Sequence, residues 1–221
     1  MNISPAPRRY LGIGGSNTSK NRGGYRATAH INRRVTQSIF RAFDYAKEIG
    51  TPLTLYAVIN LHETPSIAAA SIFADIRHRY CDWLYYRRKK DAGTPKPAYI
   101  YALENPDNAH PHANWAIHIP PELEEEFRRK LPQWVARAQG YCGPHDCHVQ
   151  PIHQDYAKKL AKYIVKATDP AFIAHFHLSN EAADQGTIYG KRAGVSPSLG
   201  HAVRREANFR PQRRTYWQRA A

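Results

Sequence analysis

The sequence contains little cysteine and no long apolar segment. Three cysteines in 221 residues are too few, and odd in number, for a disulfide scaffold. No apolar run approaches the roughly 20 residues that a membrane-spanning helix needs. The first ten residues, MNISPAPRRY, lack the apolar stretch of a secretory signal. We therefore expect a cytoplasmic protein with no membrane partner.

Acidic residues are absent from one end of the chain and nearly absent from the other. Residues 1–41 carry eight Lys or Arg and no Asp or Glu, and residues 191–221 carry eight against one acid. The residues between them are almost neutral, although the whole chain has a formal charge of +14. Two basic ends around a neutral body are typical of a protein that binds a polyanion. Nucleic acid is therefore the expected partner.

The hydrophobic pattern predicts a folded domain between the basic ends. Hydrophobic residues make up 42% of the chain and aromatic residues 11%, enough for a core. The helices are predicted over 35–49, 66–90, 122–139 and 154–167, and the strands over 53–61, 98–104, 112–119 and 147–152. This order predicts an α+β fold, with helices packed on a mainly antiparallel central sheet and basic extensions on either side. A doubly wound parallel sheet is disfavoured, because no glycine-rich phosphate loop lies near 53–66.

The charge and the pattern together predict three regions. A flexible basic arm is expected over 1–34, a central domain over 35–180, and a basic, Gly- and Arg-rich tail that contacts DNA over 181–221. Lys159 of the last predicted helix is a further predicted nucleic-acid contact, in addition to those of the tail. The predicted DNA-binding residues are Lys159, Lys191, Arg192, Arg204, Arg205, Arg213 and Arg214.

The predicted strand HANWAIHI has one apolar and one polar face, because strand side chains alternate. The apolar face carries Ala113, Trp115, Ile117 and Ile119. The polar face carries His112, Asn114 and His118. Neutral imidazole and amide oxygen can bind a divalent cation such as Mg²⁺ or Mn²⁺. These three residues are therefore predicted metal ligands, although a single histidine of this kind is more often a plain hydrogen-bonded residue.

Glu104 ends the preceding predicted strand and could join this polar face. If the two strands pair as a hairpin through the turn NPDNAHP, Glu104 lies beside the row and supplies a carboxylate ligand. A competing arrangement uses His110 and His112 as the ligand pair. It ranks lower, because Pro111 cannot donate a hydrogen bond within a central sheet.

The last predicted helix carries the pattern Tyr-x-x-Lys twice. Tyr156 with Lys159 and Tyr163 with Lys166 lie one heptad apart, next to an apolar stripe. A phenol has a pKa near 10, so a nearby ammonium helps it to act as a nucleophile. The alternative is an amphipathic helix whose lysines extend to solvent, which is a common pattern.

Three segments in this order resemble motifs of the HUH endonuclease superfamily, in particular the rolling-circle replication initiators of plasmids and phages. The segments are LTLYAVIN, then Glu104-Asn105 with HANWAIHIPPEL, then KYIVK. The resemblance implies an RRM-like antiparallel sheet and a divalent metal beside the scissile phosphate. It implies that residues 35–180 nick and rejoin single-stranded or melted origin DNA through a tyrosine. Host replication proteins would be further partners.

The resemblance also implies roles for individual residues. His112 would be a metal ligand, Glu104 a further ligand, Tyr163 the nucleophile, and Lys166 the group that orients the phosphate. Asn114 stands where the family has its second histidine, and an amide is a poorer ligand than imidazole. Tyr156 is either a second nucleophile for rejoining or a packed aromatic ring.

Three other hypotheses stay open at this point. The chain could be a DNA- or RNA-binding regulator on the same sheet, without catalysis, or an HUH-type transposase that shares the chemistry. It could also be an adaptor stabilised by zinc, because Cys142, Cys147 and His148 are soft ligands close together in sequence. The usual pairs of cysteine ligands are missing from the sequence.

Overall fold

The computed structural model describes residues 25–211, so that 1–24 and 212–221 lie outside it. The helices are α1 (Arg33–Glu48), α2 (Ala69–Lys90), α3 (Pro121–Gln139), α4 (Ala157–Ile164) and α5 (His201–Glu206). The strands are β1 (Ala27–Thr28), β2 (Leu55–Asn60), β3 (Tyr99–Glu104), β4 (His112–Ile117), β5 (Cys147–Pro151), β6 (Ile188–Tyr189) and β7 (Ala193–Val195). Each helix and strand expected from the sequence is present within a few residues of its predicted bounds.

A five-stranded sheet forms the centre of the fold. Its strand order is β5-β2-β4-β3-β7, and every neighbouring pair is antiparallel. A separate two-stranded sheet joins β1 and β6. The α+β prediction, with helices on a mainly antiparallel sheet, is therefore confirmed. No helix among the described residues is both long enough and apolar enough to cross a membrane.

One face of the central sheet packs against α2 and α3 through aromatic residues. Trp115 of β4 is fully buried there and makes edge contacts with Phe73, Tyr80 and Phe127. Neighbouring strands present their own alternate residues to this same layer, so one apolar face is continuous across β2, β3 and β4. The predicted apolar side of β4 is confirmed by these contacts.

The other face of the sheet is covered in part by α1 and α4. Helix α4 is short and ends at Ile164. Its buried side chains, Ala157, Ala161 and Ile164, pack in the same core layer as those of α1. After α4 the chain passes beside Ile31, whose backbone N–H donates to the carbonyl of Ala167. This packing holds the end of α4, and the two residues after it, against the sheet.

The boundary predicted at residue 181 falls inside the fold. Strand β7 forms an edge of the central sheet by pairing with β3, and β6 pairs with β1. Residues 181–211 are therefore part of the domain rather than a separate tail. Residues 27–34 belong to the domain as well, because they include β1 and the start of α1. Residues 1–24 of the predicted arm, together with Arg213 and Arg214, lie outside the described residues.

Candidate functional site

Polar side chains meet on the α4 side of the sheet, where β3 ends and β4 begins. Glu104 and His112 are direct partners in the β3–β4 hairpin, as the sequence predicted. The Nε2 atom of His112 lies 3.0 Å from Oε2 of Glu104. The Glu104 side chain is fully buried, so its oxygens depend on protein partners rather than on water for hydrogen bonds.

Lys166 connects this carboxylate to the predicted nucleophile. Its Nζ atom lies 2.8 Å from Oε2 of Glu104 and 3.9 Å from the centre of the Tyr163 ring. Burial lowers the pKa of Lys166, but its hydrogen bonds to Glu104 and Tyr163 outweigh burial, so the pKa is raised overall. The ammonium therefore stays charged at neutral pH, between a buried carboxylate and a phenol.

Asn114 lies next along the polar side of β4 and is almost fully buried. Its Oδ1 atom accepts a short hydrogen bond from the hydroxyl of Tyr56, while its Nδ2 atom has no partner within the described chain. Burial raises the pKa of Tyr56 strongly, and the nearby Tyr163 and Glu104 raise it further. Tyr56 therefore stays protonated and acts as a donor to the amide.

Sequence reasoning missed Tyr56, although a signal was present. In the strand LTLYAVIN the residue alternates with buried Leu55 and Ala57, which places it on the same side of the sheet as the polar row of β4. A tyrosine on the polar side of a predicted central strand is a candidate for that reason. What the pattern could not give is its partner, because Tyr56 reaches diagonally from β2 to Asn114.

His118 does not belong to the site, which corrects its prediction as a metal ligand. It follows β4 at the end opposite His112, about 20 Å away along the strand. Its Nδ1 atom donates to the carbonyl of Pro52 at 2.6 Å. Burial lowers the pKa of His118, and this hydrogen bond opposes the change only in part. The alternation of side chains predicted the side of the strand on which His118 lies but not its distance along the strand from the site.

The competing ligand pair of His110 and His112 is not formed. His110 lies in the exposed turn between β3 and β4, where its Nδ1 atom pairs with the carboxylate of Asp107. His112 instead faces Glu104 across the hairpin. Within the part of the chain that the structure describes, no three His, Cys, Asp or Glu side chains converge as metal ligands.

The residues that do converge offer a partial set of metal ligands. Oε1 of Glu104 is buried and has no hydrogen-bond partner among the described residues. This oxygen fits a cation such as Mg²⁺, which keeps several waters and takes one or two carboxylates plus substrate phosphates. His112 would join it by exchanging the hydrogen bond between its Nε2 atom and Glu104 for the metal. Asn114 fits less well, since its oxygen already accepts from Tyr56. Glu104 and His112 are therefore the residues that would hold a metal.

Tyr156 is not a packed aromatic ring, which was one of the two alternatives drawn from the sequence. It precedes α4 and is 60% exposed, with Nζ of Lys159 lying 5.3 Å above its ring. Together with Tyr163 and Tyr56 it lines a cavity of about 610 Å³ beside the site. The structure thus places both tyrosines of the repeated Tyr-x-x-Lys pattern on one solvent-accessible surface.

Two of the arginines predicted to bind DNA have a structural role instead. Arg192 is buried and donates to the carbonyls of Thr28 and Gln185. Arg204 is buried as well and donates to the backbone and side chain of Ser38. Because their guanidinium groups already bind protein oxygens, neither is available for direct contact with a phosphate. Lys191 and Arg205 are exposed, as a phosphate contact requires.

The structure brings together the two cysteines of the zinc hypothesis but not His148. The Sγ atoms of Cys142 and Cys147 lie 3.7 Å apart, and both side chains pack against the α2–α3 side of the core. His148 follows Cys147 in β5 and points to the opposite side of the sheet. Burial raises the pKa of both thiols, and more strongly that of Cys147.

Comparison with known proteins does not assign the chain to a group: no family model matches it, and no curated protein matches it. The likeness to HUH endonucleases therefore remains a likeness of short motifs. The fold nevertheless brings together four of the residues that those motifs singled out, namely Glu104, His112, Lys166 and Tyr163.

Proposed function

We propose that the protein is a metal-dependent enzyme that nicks and rejoins single-stranded DNA at a specific site, with Tyr163 as nucleophile. The observation that carries the proposal is the position of Lys166, whose ammonium contacts both the buried Glu104 and the ring of Tyr163. A fixed positive charge beside an exposed phenol favours phosphoryl transfer to tyrosine, because it stabilises the phenolate and the charge on the phosphate. Initiation of rolling-circle replication of a plasmid or phage is the proposed role.

The reaction uses the exposed part of Tyr163. The ring is 43% exposed, so a phosphodiester can reach its hydroxyl. The phenol releases its proton to solvent, and its oxygen forms a bond to phosphorus while the bond from phosphorus to the 3′-oxygen breaks. The 3′-oxygen leaves with a proton from solvent as a hydroxyl that a polymerase can extend. The 5′-phosphate remains on Tyr163, and attack by an incoming 3′-hydroxyl reverses the step and rejoins the strand.

The neighbouring residues support this transfer. Lys166 stays protonated because its pKa is raised, so it stabilises the phenolate and the charge on the phosphate rather than accepting a proton. Glu104 and His112 would hold Mg²⁺ or Mn²⁺, which would act as a Lewis acid on a phosphate oxygen. Tyr56 donates to Asn114 and keeps that side chain in place behind the site.

The proposal is tested by covalent capture of DNA. The protein is incubated with Mn²⁺ and a single-stranded oligonucleotide library, and adducts are detected on a denaturing gel. We expect an adduct with the natural chain and with Tyr141→Phe, a control at an exposed tyrosine outside the site. We expect none with Tyr163→Phe. An adduct that persists in Tyr163→Phe would show that another residue is the nucleophile.

A second candidate function is supported by Asn114. The amide replaces an imidazole expected from the resemblance, and its oxygen is occupied by Tyr56. A regulator that binds DNA or RNA without cleaving it would need no metal at this position. Such a protein would bind single strands equally well with and without chelator, with a steep salt dependence and no adduct. A transposase of the HUH type would give the adduct as well and would differ only in its substrate.

A further inference from the structure

A basic cavity of about 580 Å³ lies apart from Tyr163, between α1, β7 and α5. Its cationic lining residues are Arg34 and Arg41 from α1, Lys191 from the turn before β7, and Arg204 from α5, and His201 of α5 lines it as well. No Asp or Glu of the described chain lines it. A cleft lined by charges of one sign concentrates its field and attracts counter-ions. The cavity therefore has the electrostatics of an anion site.

The Arg and Lys side chains at the cavity wall have no acidic partner within residues 25–211. Arg34, Arg41 and Lys191 form no ion pair within residues 25–211, and Nε of Arg41 is buried with no hydrogen-bond partner there. A buried donor without a partner is costly, and an anion would satisfy it. Arg204, held by Ser38, adds a fixed charge beneath them. Burial, and then the proximity of Arg41, lowers the pKa of Arg204 to about 10.

The pairing of the strands relates the wall of the cavity to Asn114 of the candidate site. Strand β7 pairs with β3, where Ala193 is opposite Ala102, and β3 pairs with β4, where Ala102 is opposite Asn114. Two strand spacings separate them, or about 10 Å across the sheet. Ala193 and Ala102 also share the core layer on the α1–α4 side. The cavity wall at Ala193 and the Asn114 position of the site therefore lie on the same side of the sheet.

We propose that this cavity is a phosphate-binding subsite in which Arg34, Arg41 and Lys191 hold the backbone of single-stranded DNA. The subsite rests on the proposed function for the identity of its ligand, but its contacts do not depend on cleavage. Arginine suits this role, because its planar guanidinium binds two phosphate oxygens at once. Since these contacts reach phosphates and not bases, the subsite contributes affinity without sequence preference.

The test measures binding in a background that cannot form the adduct. In the full chain carrying Tyr163→Phe, affinity for a fluorescent 20-nucleotide single strand is measured over a range of salt concentrations. The double variant Arg34→Gln, Arg41→Gln removes two charges from the cavity. The matched control Arg129→Gln, Arg137→Gln removes two charges from exposed positions on α3, against the other face of the sheet. Circular dichroism checks that both variants fold.

We expect the cavity variant to bind at least about tenfold more weakly. The slope of log affinity against log salt should fall by about 1.4, or about 0.7 for each lost phosphate contact. Affinity in the control variant should change by less than about twofold, because it loses only screened long-range charge. Equal loss in the two variants would overturn the subsite and leave only a general effect of net charge.

Inorganic phosphate distinguishes the source of the ligand. It should compete with the single strand more strongly than chloride does at equal ionic strength, and the competition should vanish in the cavity variant. If the variant loses thermal stabilisation by phosphate but keeps its DNA affinity, the cavity binds a free phosphate compound, and the DNA subsite is overturned. If DNA affinity falls as expected while the natural chain forms no adduct, the subsite stands and the proposed nicking function fails.

Discussion

The two faces of the central sheet are built from the same strands but have opposite chemistry. On β4, Trp115 packs into an aromatic layer beneath α2 and α3, whereas its neighbour Asn114 faces Tyr56 on the α4 side. On β3, Leu103 belongs to the aromatic layer and Glu104 to the polar site. The alternation of strand side chains allows one face to provide stability while the other carries ionisable groups. Substitutions at neighbouring positions should therefore have different consequences.

The largest effect on stability is expected on the aromatic face. Trp115→Ala should lower the free energy of unfolding by about 3–5 kcal/mol, because it leaves a cavity among Phe73, Tyr80 and Phe127. At the adjacent position, Asn114→Ala should cost only about 1–3 kcal/mol, since it leaves the Tyr56 hydroxyl without its acceptor. Urea unfolding followed by fluorescence and circular dichroism measures both. Equal costs at the two positions would contradict the division between the faces.

The next effect concerns the buried ion pair of the polar face. Lys166→Met should cost about 3 kcal/mol, because it leaves the fully buried carboxylate of Glu104 without its cation. Adding Glu104→Gln to this variant should recover part of the loss, since no unpaired charge then remains. A double-mutant cycle of unfolding free energies measures the coupling. Additive effects of the two substitutions would show that the ion pair contributes nothing.

Lys166 also predicts a dependence on alkaline pH. Its pKa in the folded protein is raised, so its contribution to stability is fully present below the unfolded pKa of 10.5. That contribution should be lost as the pH rises through the higher folded value. The natural chain should therefore lose more stability at alkaline pH than Lys166→Met does. Parallel curves for the two proteins, measured by unfolding at a series of pH values, would contradict this.

A smaller effect is expected at His118, which lies outside the site. Burial lowers its pKa from 6.5, so the unfolded chain binds a proton more readily than the folded protein does. Stability should fall as the pH falls from 6.5 towards the lower folded value, and the decline should end below it. His118→Gln should flatten this part of the curve. His78→Gln, at an exposed position on α2, serves as the control.

Regular elements and neighbouring contacts could be predicted from the sequence. The polar row of β4 follows from alternation, and Glu104 lies beside His112 because the turn between their strands is short. Lys166 lies just beyond the end of α4, and a turn in which its N–H donates to the carbonyl of Tyr163 keeps these two residues close. These contacts join residues that are close in sequence, so the spacing along the chain is enough to predict that they are close in space.

Relations between distant segments could not be predicted in this way. Arg192 was expected to contact DNA, yet its carbonyl partner at Thr28 is more than 160 positions away, and nothing in GKRAGV indicates that contact. Strand β7 has only three residues, one of them a glycine, so it is too short to show the alternation of apolar and polar residues that identifies a strand. The alternation at His118 was correct, but the hairpin turn at the other end of β4 determined where the site lies.

The most direct test of the central claim is mass spectrometry of the peptide that carries the DNA. After incubation with Mn²⁺ and single-stranded DNA, the protein is digested with nuclease and protease, and peptides with an added nucleotide are sequenced. The account predicts that the nucleotide is linked through a 5′-phosphate to Tyr163 in KYIVK. A nucleotide on Tyr156 or on any other residue, or none under conditions in which the DNA is cut, would contradict it.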